Sequence, residues 1–285
     1  MKKAFLLFLL LLLLCCTAAQ AELRQSDLLD AAFECVEEDN PFLARYKALT
    51  GSTVTPRLKL GVPYFYGGQD VDQPFIHEPE YSSYKAWTGS VWYKKGETYF
   101  MGFDCTGYIK YIFSRVGETI HLPQRELIDE AYHAEHVFCG KQPMPEDWTA
   151  LSAALQPGDI WIIRHPDTHV MMYIGTLRDF GYTAEELPLL ADYLDYPLVI
   201  HCGEQPDYFD RMKNYGKTCG VNYMRFVKGP DGGVAVSILG VSHEAAEQAG
   251  KPQDAELWWF NVEGVSMTTL VFDDLESDCW YRMSR

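Results

Sequence analysis

Cys105, His169 and His201 are the residues whose types and order could carry covalent chemistry. Cys105 stands in Phe103-Asp104-Cys105-Thr106-Gly107-Tyr108. His169 opens His169-Val170-Met171-Met172-Tyr173-Ile174-Gly175, and His201 closes Pro197-Leu198-Val199-Ile200-His201. A thiol, an imidazole to take its proton and a third group to orient that imidazole are the parts of a nucleophilic triad. Each residue also has a plainer reading. Cysteine is a common small core residue, a histidine beside a turn is often only a surface residue, and His201 alone reads as a rim histidine. The ordered set is specific where its members are not.

The elements that would position these residues are legible nearby. From Cys105 the apolar positions 105, 108, 109, 112, 113 and 116 follow one helical face, with Gly117 as the stop and Asp104 as the N-cap. A thiol in the first turn meets the positive end of the helix dipole, which favours thiolate. His169 begins an alternating strand and shares a face with Met171 and Tyr173, while Val170, Met172 and Ile174 take the other. His165, four residues earlier, competes for the base role but precedes a proline on the turn side.

The rest of the chain supplies a frame. Ser26 or Asp27 caps a helix expected to run to about Glu38, and a second runs from Pro41 to Leu49, ending at Gly51. Asp70 to Phe103 is rich in aromatics and is expected to contain a β-hairpin around Lys94-Lys95-Gly96. Asp159 to Arg164 and His169 to Ile174 form an expected antiparallel pair around His165-Pro166-Asp167. A helix is expected over Thr183 to Tyr193, then strands at Leu198 to Cys202, Val234 to Val241, Leu257 to Val262 and Val265 to Phe272. The pattern predicts one α+β domain with helices packed on a central antiparallel sheet.

Residues 1–21 read as a cleaved export signal. Lys2-Lys3 precede the apolar run Phe5 to Leu14, and Ala19-Gln20-Ala21 is a small-x-small cleavage site. The run is short for a membrane span, so no integral span is expected in the mature chain. A lipid anchor at Cys15 or Cys16 is disfavoured by the bulk of Leu14 and Cys15 before them. Cleavage after Ala21 removes two lysines and leaves 22 basic against 40 acidic residues, a net charge of −18. That balance argues against nucleic acid and anionic surfaces as partners. Six cysteines remain (Cys35, Cys105, Cys139, Cys202, Cys219 and Cys279), in a spacing unlike a small disulfide scaffold and with no C-x-x-C for structural zinc.

These motifs together resemble the NlpC-type cell-wall peptidases, papain-like cysteine enzymes of bacteria. The family's Gly-x-Pro-Tyr-x-x-Gly-Gly approach is seen in Gly61 to Gly68, and its Asp-Cys-Ser-Gly helix start in Asp104-Cys105-Thr106-Gly107. A Pro-Gly-Asp strand entry matches Pro157-Gly158-Asp159, the His-Val-x-x-Tyr-x-Gly strand matches His169 to Gly175, and the final histidine strand matches Val199-Ile200-His201. The resemblance covers about residues 60 to 203 and implies Cys105 as nucleophile, His169 as base and His201 as orienting residue. It places Tyr64 and Asp104 at the substrate, with Asp104 suited to a free amino group. The implied substrate is a peptidoglycan stem peptide or muropeptide, often cut between D-glutamate and the diamino acid, with no metal and no cofactor. The expected organisation is a signal at 1–21, a helical prologue at 22–60 and a catalytic domain at 61–285. Insertions near 70–103 and 176–197 and a β-rich C-terminal extension distinguish this chain. An amidase or acyltransferase on the same papain-like frame is the alternative enzyme. A non-catalytic envelope-binding module and a Cys-His-His zinc site are the readings from other classes.

Overall fold

The computed structural model describes residues 25–64, 68–72, 75–76, 81–86, 89–94, 98–99, 102–118, 138–142, 144–163, 169–204, 232–241, 257–262, 265–270 and 279–283. Residues 1–21 and the His165-Pro166-Asp167 turn lie outside these.

Two N-terminal helices, α1 (Gln25–Phe33) and α2 (Pro41–Thr50), pack into the main core. Asn40 caps α2 by accepting from the Phe42 and Leu43 N–H groups, and Gly51 closes it in the left-handed region at φ 73°. α1 stops at Phe33, short of the expected Glu38. The backbone of residues 34–38 bonds elsewhere: Glu34 O accepts from Arg57 N, Cys35 O from Val62 N, and Glu38 N donates to Lys59 O. Those groups cannot serve both a helix ladder and the returning chain.

The aromatic segment forms nested antiparallel pairs. β1 (Gln69–Asp70) pairs with β6 (Gly102–Phe103), β2 (Phe75–Ile76) with β5 (Thr98–Tyr99), and β3 (Tyr81–Ala86) with β4 (Gly89–Lys94). The expected hairpin is present, but its reversal is displaced. The pairing runs from Tyr81–Lys94 to Ala86–Gly89. Lys94 is the last residue of β4, and Lys95 and Gly96 lie outside the described residues. The base of this arm, β6, runs straight into helix α3 (Cys105–Arg115).

The remaining strands are β7 (Phe138–Gln142), β8 (Ile160–Ile163), β9 (His169–Thr176), β10 (Pro197–Glu204), β11 (Gly232–Leu239), β12 (Leu257–Val262), β13 (Val265–Leu270) and β14 (Cys279–Met283). They form one eight-stranded sheet in the order β12-β13-β11-β10-β9-β8-β14-β7. All neighbours are antiparallel except β11 and β13. The α+β expectation holds, with that single parallel pairing inside the antiparallel sheet. Between β9 and β10 the expected helix over Thr183 to Tyr193 is replaced by turns and a 3-10 turn at Pro188–Tyr193. Pro188 accounts for this: it lacks an N–H and forces Leu187 out of the helical region, to φ −126°, ψ 67°.

Helices cover both faces of the sheet. The larger cluster joins α1, α2 and the α3 residues Tyr108, Ile109, Ile112 and Phe113 to Val170, Met172, Ile174, Ile200 and Val236. The smaller one lies under α4 (Trp148–Ala154) and contains Leu151, Trp161, Met171, Tyr173, Val199 and Leu239. α1 is further tied to α3 by Tyr108 Oη donating to Ala32 O at 2.8 Å and by a two-point Arg115–Glu34 pair.

β14 closes the sheet by sitting between β8 and β7. Arg282 on this strand grips Asp159 with Nε at 3.0 Å and Nη2 at 2.7 Å, and Asp159 is 3 % exposed. Asp159 Oδ2 also accepts from Gln156 N, so the carboxylate secures the Pro157-Gly158 entry into β8. Arg282→Ala leaves that buried charge without its cation, and is expected to cost about 2–4 kcal/mol. Urea denaturation reads this as a lower midpoint; an unchanged midpoint would show that the pair contributes nothing.

Candidate active site

α3 begins where the Asp104 side chain accepts from Gly107 N at 2.6 Å and from Thr106 Oγ1 at 2.8 Å. Asp104 is therefore the N-cap the sequence predicts, at 8 % exposure. Gly107 is required by closeness: a Cβ there would run into the Gly68 carbonyl oxygen. The end of the Gly61 to Gly68 approach thus lies directly against the first turn of α3. Asp104 N also donates to Gly68 O at 2.9 Å, and Phe103 N to Pro63 O at 3.0 Å. Tyr64 is buried and bridged to Phe103 in this same junction.

Cys105 takes the first position of α3 and is a thiol outside any disulfide, as are Cys35 and Cys202. Burial pushes the Cys35 and Cys202 thiols well up, so both stay protonated. Cys202 also donates to Phe103 O at 3.3 Å. Of these three, Cys105 alone stands at a helix N-terminus.

His169 and His201 are brought together. The register sets Val199 opposite Tyr173 and Ile200 opposite Met172, so continuing it puts His169 across from Gly203 and diagonal to His201. His169 Nε2 lies 3.0 Å from His201 Nδ1, with the rings nearly perpendicular at 88°. A Cβ on Gly203 would come within 3.1 Å of His201 Nδ1 and 3.5 Å of His169 Cε1, so the glycine leaves room for the paired rings. The diagonal continues into β11, where Ser237 Oγ lies 2.6 Å from His201 Nε2. Strand alternation puts all three side chains on the face of Met171 and Val199, as expected for His169.

The same end of the sheet carries Cys105. Cys202 reaches the carbonyl of Phe103, two residues before the thiol, and the adjacent Gly203 faces His169. β9 and β10 both pack against α3. His169, the first residue of β9, is partly exposed, while its partner His201 is 1 % exposed. Burial drives the His169 pKa down to about 4. Burial, then the neighbouring His169, drives that of His201 well below the ordinary histidine value. Both rings are neutral at pH 7, and a neutral imidazole is the form that can accept a proton.

Ser237 is the polar residue that sequence reasoning missed. Its only signal is one hydroxyl inside Val234-Ala235-Val236-Ser237-Ile238-Leu239, which is uninformative until β11 is known to pair with β10. Among the described residues, no group of three or more His, Cys, Asp or Glu is placed to hold a metal ion. None of the helices there is long and apolar enough to cross a membrane.

Comparison with known proteins gives a match to a family model. Residues 61–185 fit the model described as NlpC/P60 family. No curated protein matches, and no solved structure matches. Cys105 and His169 lie inside the matched segment; His201 and Ser237 lie beyond its end.

Proposed function

We propose, from the premise that residues 61–185 form an NlpC/P60 family domain, that Cys105, His169 and His201 act as a nucleophile, base and orienting residue on peptidoglycan stem peptides. The family's members are cysteine peptidases acting on peptidoglycan, and the α+β architecture agrees with a papain-like fold. The observation that carries the assignment of roles is the His169–His201 contact at 3.0 Å. It supports a base with an orienting partner on two strands that both pack against α3.

In this reading His169 takes the Cys105 proton and the sulfur adds to the scissile carbonyl carbon. Backbone N–H groups at the start of α3 receive the oxyanion. The protonated imidazole returns its proton to the leaving amine as the C–N bond breaks, and water then hydrolyses the thioester by the reverse sequence of transfers. The favoured bond joins D-glutamate to the diamino acid, and residues 1–21 direct the chain to the envelope before removal after Ala21.

Asp104 has a second proposed role beside its cap. A carboxylate next to the nucleophile would bind the ammonium of a stem peptide with a free amino end through a charge-assisted hydrogen bond. N-acetylation of the peptide removes that bond, and is expected to lower kcat/KM by about tenfold to a hundredfold. Asparagine caps helices as well as aspartate does, so Asp104→Asn should keep α3 and lose most of the discrimination. Equal specificity constants for free and acetylated peptide would confine Asp104 to capping and leave the amino end unread.

A further inference from the structure

We infer that Ser237 is a positioning residue that sets the direction of the proton line from the thiol, an inference resting on the proposed roles of Cys105, His169 and His201. The line consists of two contacts, His169 Nε2 to His201 Nδ1 at 3.0 Å and His201 Nε2 to Ser237 Oγ at 2.6 Å. All three groups are neutral, so the histidine–histidine contact holds a single proton and must run one way or the other.

Only one direction serves catalysis. In it, His169 carries its proton on Nε2 and donates to His201 Nδ1, leaving His169 Nδ1 with the lone pair that accepts from the thiol. His201 then carries its own proton on Nε2 and needs a buried acceptor there, which Ser237 Oγ provides. In the opposite direction His201 donates from Nδ1 to His169 Nε2. His169 is then protonated on Nδ1, and its catalytic lone pair is gone.

Without the hydroxyl the balance shifts towards the unproductive form. His201 is 1 % exposed and Ser237 fully buried, so water does not replace the lost partner easily. A buried N–H left without an acceptor is tolerated less well than a buried lone pair without a donor. In Ser237→Ala, His201 therefore moves its proton from Nε2 to Nδ1. The serine contacts neither substrate nor sulfur, and it acts through His201 alone.

The test pairs kinetics with 15N NMR of the histidine side chains in the mature protein. Ser237→Ala should lower kcat about tenfold with KM unchanged, and should shift His201 from the Nε2–H to the Nδ1–H tautomer. Ser237→Thr, which keeps the hydroxyl, should restore both. In a His201→Ala background the serine substitution should have no further effect on kcat. A Ser237→Ala protein with unchanged kcat, or one that loses activity while His201 keeps the wild-type tautomer, overturns the inference. So does a further loss in the His201→Ala background. The tautomer is read without turnover, so the two failures are distinguishable: retained cleavage by Cys105→Ala would defeat the nucleophile reading, whereas an unshifted tautomer in Ser237→Ala would defeat the role given to Ser237.

Discussion

His169→Ala lowers kcat/KM by about 10⁴-fold or more while the protein stays folded, and Cys105→Ala does the same. The expected size follows from the proposed division of labour. Without His169 there is no group to take the thiol proton, and the buried His201 loses the partner at Nδ1, 3.0 Å away. Without the sulfur there is no acyl-enzyme. The double variant falls no further than either single one, because the two residues act as a unit. His201→Ala is milder and keeps residual turnover, since an orienting group does not touch the bond being broken. His165→Ala is the control and leaves activity intact. Full activity in His169→Ala with loss in His165→Ala would transfer the base to the other imidazole.

Acid weakens the fold through the same histidines. The His169 pKa falls from the ordinary 6.5 to about 4 in the folded protein, with burial as the cause. Between those values the unfolded chain binds a proton that the folded chain refuses. Stability is therefore complete above about pH 6.5, declines as pH falls towards about 4, and levels off below. At 1.36 kcal/mol per pKa unit the loss is about 3 kcal/mol at most, because the ring keeps a partly exposed edge. His201 adds a loss of the same sign. Urea midpoints at pH 7.5 and pH 4.5 measure it, with His169→Gln as reference. The variant should lose about 2–3 kcal/mol less than the wild type over that interval. Equal losses would show that His169 is already charged in the folded protein.

What could be read in advance was what local periodicity dictates. The α3 face, its Asp104 cap and the alternation of β9 all depend on residues within a few positions of one another, and all three hold. The strand contexts of His169 and His201 were legible for the same reason. Non-local competition decided the rest. Whether residues 34–38 continue α1 depends on the chain returning at residues 57–62. Arg282 finds Asp159 only because β14 enters between β8 and β7, although the two are separated by 123 positions. Ser237 completes the histidine line only because β11 lies beside β10. Pro188 is different: its effect on Leu187 is local, and the helix expected over Thr183 to Tyr193 gave it too little weight.

Mass spectrometry of purified muropeptides incubated with mature protein, in parallel with Cys105→Ala, tests the central claim most directly. The wild type should convert free stem peptides into two fragments that together gain one water, with the new ends at the D-glutamate–diamino acid bond, and Cys105→Ala should give neither fragment. Intact muropeptides after incubation with folded wild-type protein, or the same fragments from Cys105→Ala, would contradict a thiol-dependent peptidase at this site.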